Sequence, residues 1–259
     1  VKPITGLFTI VNDSVGGFSL TTDYVFETYQ PKSLDLALAV ISALVMPIVA
    51  GYVFDFTGAL IPMLIYYGLF AILIVRWRRG SLDYKIQWGK TREQFRSYLT
   101  PLFGALFILQ SILVITSWFT LVRFDVLNPI GWILTLILWA PINAFSEQLI
   151  WLYTFDSFAE YYKEGRKRTV MVFIGGALYI MLIGMIHVLF WAKFLLESSY
   201  LFIFTELFFI VQFIMPIGYI FLYRRTGSMW PLGIIHVYLN FTGVLFSGYS
   251  ILPYLLALG

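Results

Sequence analysis

Four polar side chains stand inside runs of residues that otherwise belong in lipid: Glu147, His187, His236 and Asn240. An acidic side chain at bilayer depth costs about 2.5 to 3.5 kcal/mol on insertion scales, so it is kept where it faces a protein interior or a water-filled cavity and serves a function there. Glu147 is such a group, within the run Phe-Ser-Glu-Gln-Leu-Ile-Trp-Leu-Tyr from Phe145 to Tyr153. A positioned glutamate can take a proton from water. Imidazole and amide donors can hold the oxyanion that forms when that water attacks a carbonyl. His236 and Asn240 are four apart and share one helix face. Counted from the nearer basic ends of their spans, Glu147 and His236 lie at similar depth, each about 10 Å in. Measured in the same way from Thr169, His187 lies about 27 Å along its helix, a level that suits Glu206 better. The levels of Glu147 and His187 match if the fourth helix continues through Tyr161 and Tyr162 and turns at Arg166 and Lys167.

The elements that position these groups follow from composition. Hydrophobic residues make up 60% of the chain and charged ones 12%, against roughly 25% charged in an ordinary soluble domain; mean hydropathy is +0.84. The expected fold class is all-α, a polytopic helical membrane protein with about seven (six to eight) transmembrane helices, since a span uses about 20 residues of the 259 available. Residues 1–33 read as an N-terminal cytoplasmic or interfacial segment and 34–259 as a single helical membrane domain. The first segment carries no secretory signal pattern, and its alternation around Asn12 to Gly17 suits a small hairpin or cap. There is no cysteine, which excludes a thiol nucleophile, a thiolate metal site and a disulfide framework. The net charge of +3 gives no sign of nucleic acid as a partner.

In chain order the expected spans are Leu34 to Phe54, Gly58 to Val75, Pro101 to Val122, Val126 to Asp156 with a kink at Pro141, Thr169 to Ala192, Tyr200 to Tyr223, and one from Pro231 onward. Tyr249 to Gly259 reads as its continuation or a short eighth element. Between the second and third spans lies a basic loop in which Thr91 and Gln94 have capping-box spacing for a short surface helix presenting Phe95, Tyr98 and Leu99. With the N-terminus inside, all 17 Lys and Arg residues except Arg123 and Lys193 fall on the cytoplasmic side, the bias expected of cytoplasmic loops. That predicts a multi-pass protein of the cell membrane. The basic loop reads as a topology determinant and headgroup contact, Tyr161 and Tyr162 as interface anchors, and Glu206 and Gln212 as groups bonding to neighbouring helices. No internal repeat stands out.

A glutamate motif, a histidine on a following helix and His-x-x-x-Asn on a later one resemble the ABI family of intramembrane proteases, which includes the type II CAAX prenyl endopeptidases. That family's motifs are Glu-Glu-x-x-x-Arg, Phe-x-x-x-His and His-x-x-x-Asn or Asp. Glu147 matches the first glutamate, His187 the second motif's histidine, and His236 with Asn240 the third motif, over roughly Phe145 to Phe241. The resemblance implies a glutamate-activated water attacking a peptide bond, with histidine and asparagine orienting it or stabilising the oxyanion. Gln148 stands where the second glutamate belongs, Leu152 replaces the arginine and Ile183 the phenylalanine.

Three functions are compatible with these residues. The leading one is an intramembrane endopeptidase acting on membrane-delivered peptide or protein substrates, with Glu147, His187, His236 and Asn240 as its catalytic set. The second is a noncatalytic relative acting as a membrane scaffold or subunit of a membrane protein complex. The third is a small-solute or ion transporter, which the missing repeat disfavours. Membrane lipids are partners in every case. The sequence requires no cofactor, contains no His-Glu-x-x-His helix and leaves a divalent metal open.

Overall fold

The computed structural model describes residues 29–120, 128–194 and 202–256. The expected N-terminal hairpin, the Arg123 to Asp125 turn and Glu197 lie outside these residues, and the side chains of Glu206 and Gln212 are likewise outside the description. Among the described residues the chain is helical throughout, with no strand. Eight helices follow in order: α1 Ser33–Thr57, α2 Leu60–Arg79, α3 Thr91–Tyr98, α4 Pro101–Thr120, α5 Pro129–Ala159, α6 Gly165–Leu189, α7 Phe202–Thr226 and α8 Trp230–Ser247. Five of the elements are long and apolar enough to cross a membrane, and a sixth is if α3 and α4, which meet at 71°, count as one span. α7 adds a further 25-residue helix packed on α4. The protein is a polytopic helical membrane protein.

α5 is the axis of the bundle. It packs against α1, α2, α6 and α8, and every residue from Ser146 to Ala159 is buried, as a helix surrounded on all sides must be. The outer helices turn Ile48, Leu73, Phe173 and Val188 outward, a surface that only lipid can cover at no cost. Close helix approach relies on absent side chains: the space a Cβ would occupy at Gly175 lies 2.8 Å from the Phe155 carbonyl oxygen, and at Gly51 it is closed by the carbonyl of Leu189. Small residues let helix backbones meet in this way.

Several boundaries differ from those the sequence suggests. α2 continues to Arg79, so Arg76, Arg78 and Arg79 belong to the helix. α5 runs past Asp156 to Ala159 and α6 begins at Gly165, which places the turn at 160–164 and puts Arg166 and Lys167 in the first turn of α6. The capping box at Thr91 does not form. Thr91 is the first helical residue, and the Gln94 side chain instead ties down the preceding loop, accepting from the Gln87 N–H at 2.8 Å and donating to the Lys85 carbonyl at 2.8 Å. Ahead of Pro141 the helix widens into a π-helical turn over Thr135–Trp139, one way a chain accommodates a proline inside a helix. The residues after α8 form a 3₁₀ turn, Leu252–Tyr254. They fold back so that the carbonyls of Tyr254 and Leu255 accept from the N–H groups of Ala59 and Leu60, satisfying donors that a helix start leaves open.

Two clusters of charge lock the basic end. Asp35 at the start of α1 accepts both arms of Arg78 at 2.8 and 2.7 Å, the Lys32 N–H at 2.7 Å and the Tyr153 hydroxyl at 2.8 Å. Asp156 on α5 lies 3.0 Å from Arg224 of α7 and 3.4 Å from Arg79 of α2. Arg224 also reaches Glu160 at 2.6 Å, and the Tyr223 hydroxyl donates to Asp83 at 2.7 Å.

Candidate polar centre around Glu147 and His236

α5, α6 and α8 converge on Glu147. One carboxylate oxygen accepts from the Trp191 indole N–H at 2.9 Å, and the other lies 3.8 Å from His236 Nε2. The carboxylate is 1% exposed, and no lysine or arginine of the described residues pairs with it. Gln148 extends an amide nitrogen to His236 Nδ1 at 2.8 Å. With Gln148 donating, a neutral His236 carries its proton on Nε2, the nitrogen that faces Glu147. The Trp151 ring stacks on His236 at 5.7 Å and 27°. Gly233, one turn before His236, leaves the gap that the Phe145 ring fills, which draws α8 onto α5 at this level.

A second layer of hydrogen bonds surrounds the carboxylate. Asn240 donates to the Asn143 side-chain oxygen at 2.6 Å, and Asn143 donates to the Tyr67 hydroxyl at 2.6 Å. The Trp151 N–H reaches the Tyr66 hydroxyl at 2.9 Å. Adjacent residues Tyr66 and Tyr67 can both point inward because Leu64–Ile74 of α2 is π-helical; more residues per turn narrows the angle between neighbouring side chains, and such wide turns recur at functional sites. One buried polar atom of this region, Gln148 Oε1, has no hydrogen-bond partner. A buried polar atom left so is costly and marks a place for a water or a polar ligand group.

The four residues singled out from sequence occupy different places. Glu147 and His236 face one another. Asn240 does not face the carboxylate; it spends its amide on Asn143, which donates in turn to Tyr67. His187 lies one turn along α6 from Trp191, toward the basic end, beside Trp151 at 6.3 Å between ring centres. His187 is an exposed residue of α6, and its Nδ1 bonds to the Ile183 carbonyl of its own helix at 2.7 Å. Tyr66, Tyr67, Asn143, Trp151 and Trp191 also build the centre. Their spacing holds a signal, since Asn143 and Trp151 stand one turn either side of Glu147 and Trp191 one turn beyond His187. Among the described residues no three His, Asp or Glu side chains converge as a metal would need.

On the approach from the basic end, Tyr84 donates to the Phe145 carbonyl at 2.7 Å. Burial first and the Asp83 charge second raise the pKa of its phenol, which keeps it a donor. Tyr84, Phe145 and Trp230 pack edge to face with centroids 5.4 to 5.5 Å apart, and Phe95 tilts onto Trp230 at 5.8 Å.

Fold and centre define a multi-pass helical membrane protein with a buried carboxylate at mid-helix, held among aromatic and amide side chains. Compared with known proteins, the chain matches no family model, no curated protein and no solved structure.

Proposed function

We propose that the chain is an intramembrane peptide hydrolase of the CAAX protease/ABI type, in which Glu147 activates a water for attack on the carbonyl of a membrane-delivered peptide. The observation that carries this reading is the meeting of a buried carboxylate, with no lysine or arginine of the described residues beside it, and the Nε2 of His236 at 3.8 Å. In the proposed reaction Glu147 takes the water's proton as general base, and His236 Nε2–H donates to the oxyanion of the tetrahedral intermediate. Asn240 and Asn143 order the polar layer beside the carboxylate, and His187 orients the substrate or the Trp151 ring. By the charge bias of the loops, the N-terminus is assigned to the cytoplasm and the protein to the cell membrane.

A second reading, a noncatalytic relative acting as a scaffold or complex subunit, is favoured by one feature. Two of the groups that the resemblance makes catalytic are already bonded to neighbours outside that set: His236 to Gln148 and Asn240 to Asn143. Cleavage of a library of prenylated and unprenylated membrane peptides by the parent and by Glu147→Gln separates the readings. Hydrolysis by the parent and its loss in a variant of unchanged melting temperature is expected. A parent that cuts nothing leaves the scaffold reading, and unchanged cutting by the variant displaces Glu147 from the mechanism.

A further inference from the structure

Where α3 meets α4, the bend encloses a groove of about 620 Å³ lined by Arg92, Phe95, Arg96, Leu99, Phe103 and Ile234. We propose that this groove is a binding site for an anionic phospholipid of the leaflet that meets the basic end. Arg92 and Arg96 are four apart and rise from one face of α3. Both are exposed, and neither is ion-paired with a carboxylate among the described residues. The remaining lining is aromatic or aliphatic, and Leu99 is 67% exposed. Two arginines above an apolar floor match an anionic head joined to a hydrocarbon chain. The guanidinium forks take the phosphate, and the chain lies along Leu99, Phe103 and Ile234. A soluble acidic peptide would satisfy the arginines and leave the floor to water, so charge and apolarity together select lipid.

The groove is held in shape before any ligand arrives. Tyr98, at the end of α3, donates to Ser228 just before α8 at 3.0 Å, and Phe95 packs on Trp230 with centroids 5.8 Å apart. Gln94 fixes the preceding loop to the same helix. A surface helix that only floats on headgroups needs none of these ties.

The absence of cysteine allows a clean test. A single label goes on α3, as Ser97→Cys carrying a fluorophore, in protein reconstituted into phosphatidylcholine bilayers. Brominated-chain phosphatidylglycerol and brominated-chain phosphatidylcholine are then titrated as quenchers. Quenching by phosphatidylglycerol is expected at a roughly tenfold lower mole fraction, given the attraction of each arginine to an anionic lipid surface. In Arg92→Gln/Arg96→Gln the two lipids become equivalent, while melting temperature is unchanged. Phe103→Glu, which leaves both arginines, lowers the preference by putting charge where the chain lies. Equal quenching of the parent by both lipids, or a preference that survives in the double variant, overturns the site.

Discussion

Two buried carboxylates stand on α5, Glu147 and Asp156, and the protein treats them in opposite ways. Asp156 meets Arg224 and Arg79 within 3.4 Å, each cation itself no more than 5% exposed. Glu147 meets an indole N–H and a histidine, with no guanidinium or ammonium of the described residues. A buried charge paired with cations from two other helices is a clamp. It ties α2, α5 and α7, and removing one partner leaves the others desolvated. A buried carboxylate without a cation contributes nothing comparable to stability, and its presence is better accounted for by function. Neutralising each carboxylate by its own amide therefore asks the same chemical question of both.

The largest effect is expected at Glu147. Glu147→Gln keeps the shape and removes the base, so peptide hydrolysis in proteoliposomes should fall by about 10² to 10⁴-fold. The melting temperature should hold, because the carboxylate has no lysine or arginine partner among the described residues to lose. The matching change, Asp156→Asn, should do the reverse at the level of the fold, lowering stability by about 3 kcal/mol in equilibrium unfolding from micelles. Should Glu147→Gln destabilise as much as Asp156→Asn, the two carboxylates would be equivalent and the distinction between clamp and centre lost.

A smaller effect probes how the two regions share one helix pair. A methyl group at Gly175 meets the Phe155 carbonyl and the Phe158 Cβ within 2.9 Å, both on the Asp156 side of α5. Backbone cannot yield as a side-chain tip can, so Gly175→Ala should cost about 1 to 3 kcal/mol by overpacking. Because α6 also leads into Trp191, the displaced helix should weaken the indole bond to Glu147, read as a change in tryptophan fluorescence. Loss of stability with an unaltered tryptophan signal would mean that the two ends of α5 are independent.

The contrast is half legible in the sequence. Glu147 and His236 announce themselves because ionisable groups are rare inside apolar runs, and the spans follow from hydropathy and the spacing of basic loops. Asp156 and Arg224 read as span ends, since an ionisable residue at a helix end is ordinary and its partners lie on distant helices. Tyr66 and Tyr67 give no signal in a chain with 17 Tyr. The π-helical stretch that turns both tyrosines inward leaves no mark in residue type either. Depth counted from a helix end compares Glu147 and His187 poorly, because the ends of α5 and α6 are not level. The approach of Gly175 to Phe155 sets their register, and the first turn of α6 from Gly165 projects beyond the end of α5 at Ala159.

The smallest effect concerns Gln148, which departs from the motif of the protease family that the sequence resembles. Gln148 is both the neutral counterpart of an expected second glutamate and the partner of His236 Nδ1 at 2.8 Å. As a donor it holds the imidazole proton on Nε2, toward Glu147; without it, either nitrogen can carry that proton. Gln148→Leu should therefore lower hydrolysis by roughly fivefold, the worth of one hydrogen bond of about 1 kcal/mol. The chain has only two histidines, so ¹⁵N-histidine spectra can be assigned by adding His187→Gln. The parent should show His236 as the Nε2–H tautomer and Gln148→Leu a mixture of both. An Nδ1–H tautomer in the parent would mean that the amide accepts instead of donating, and that His236 turns a lone pair, not a donor, toward the carboxylate.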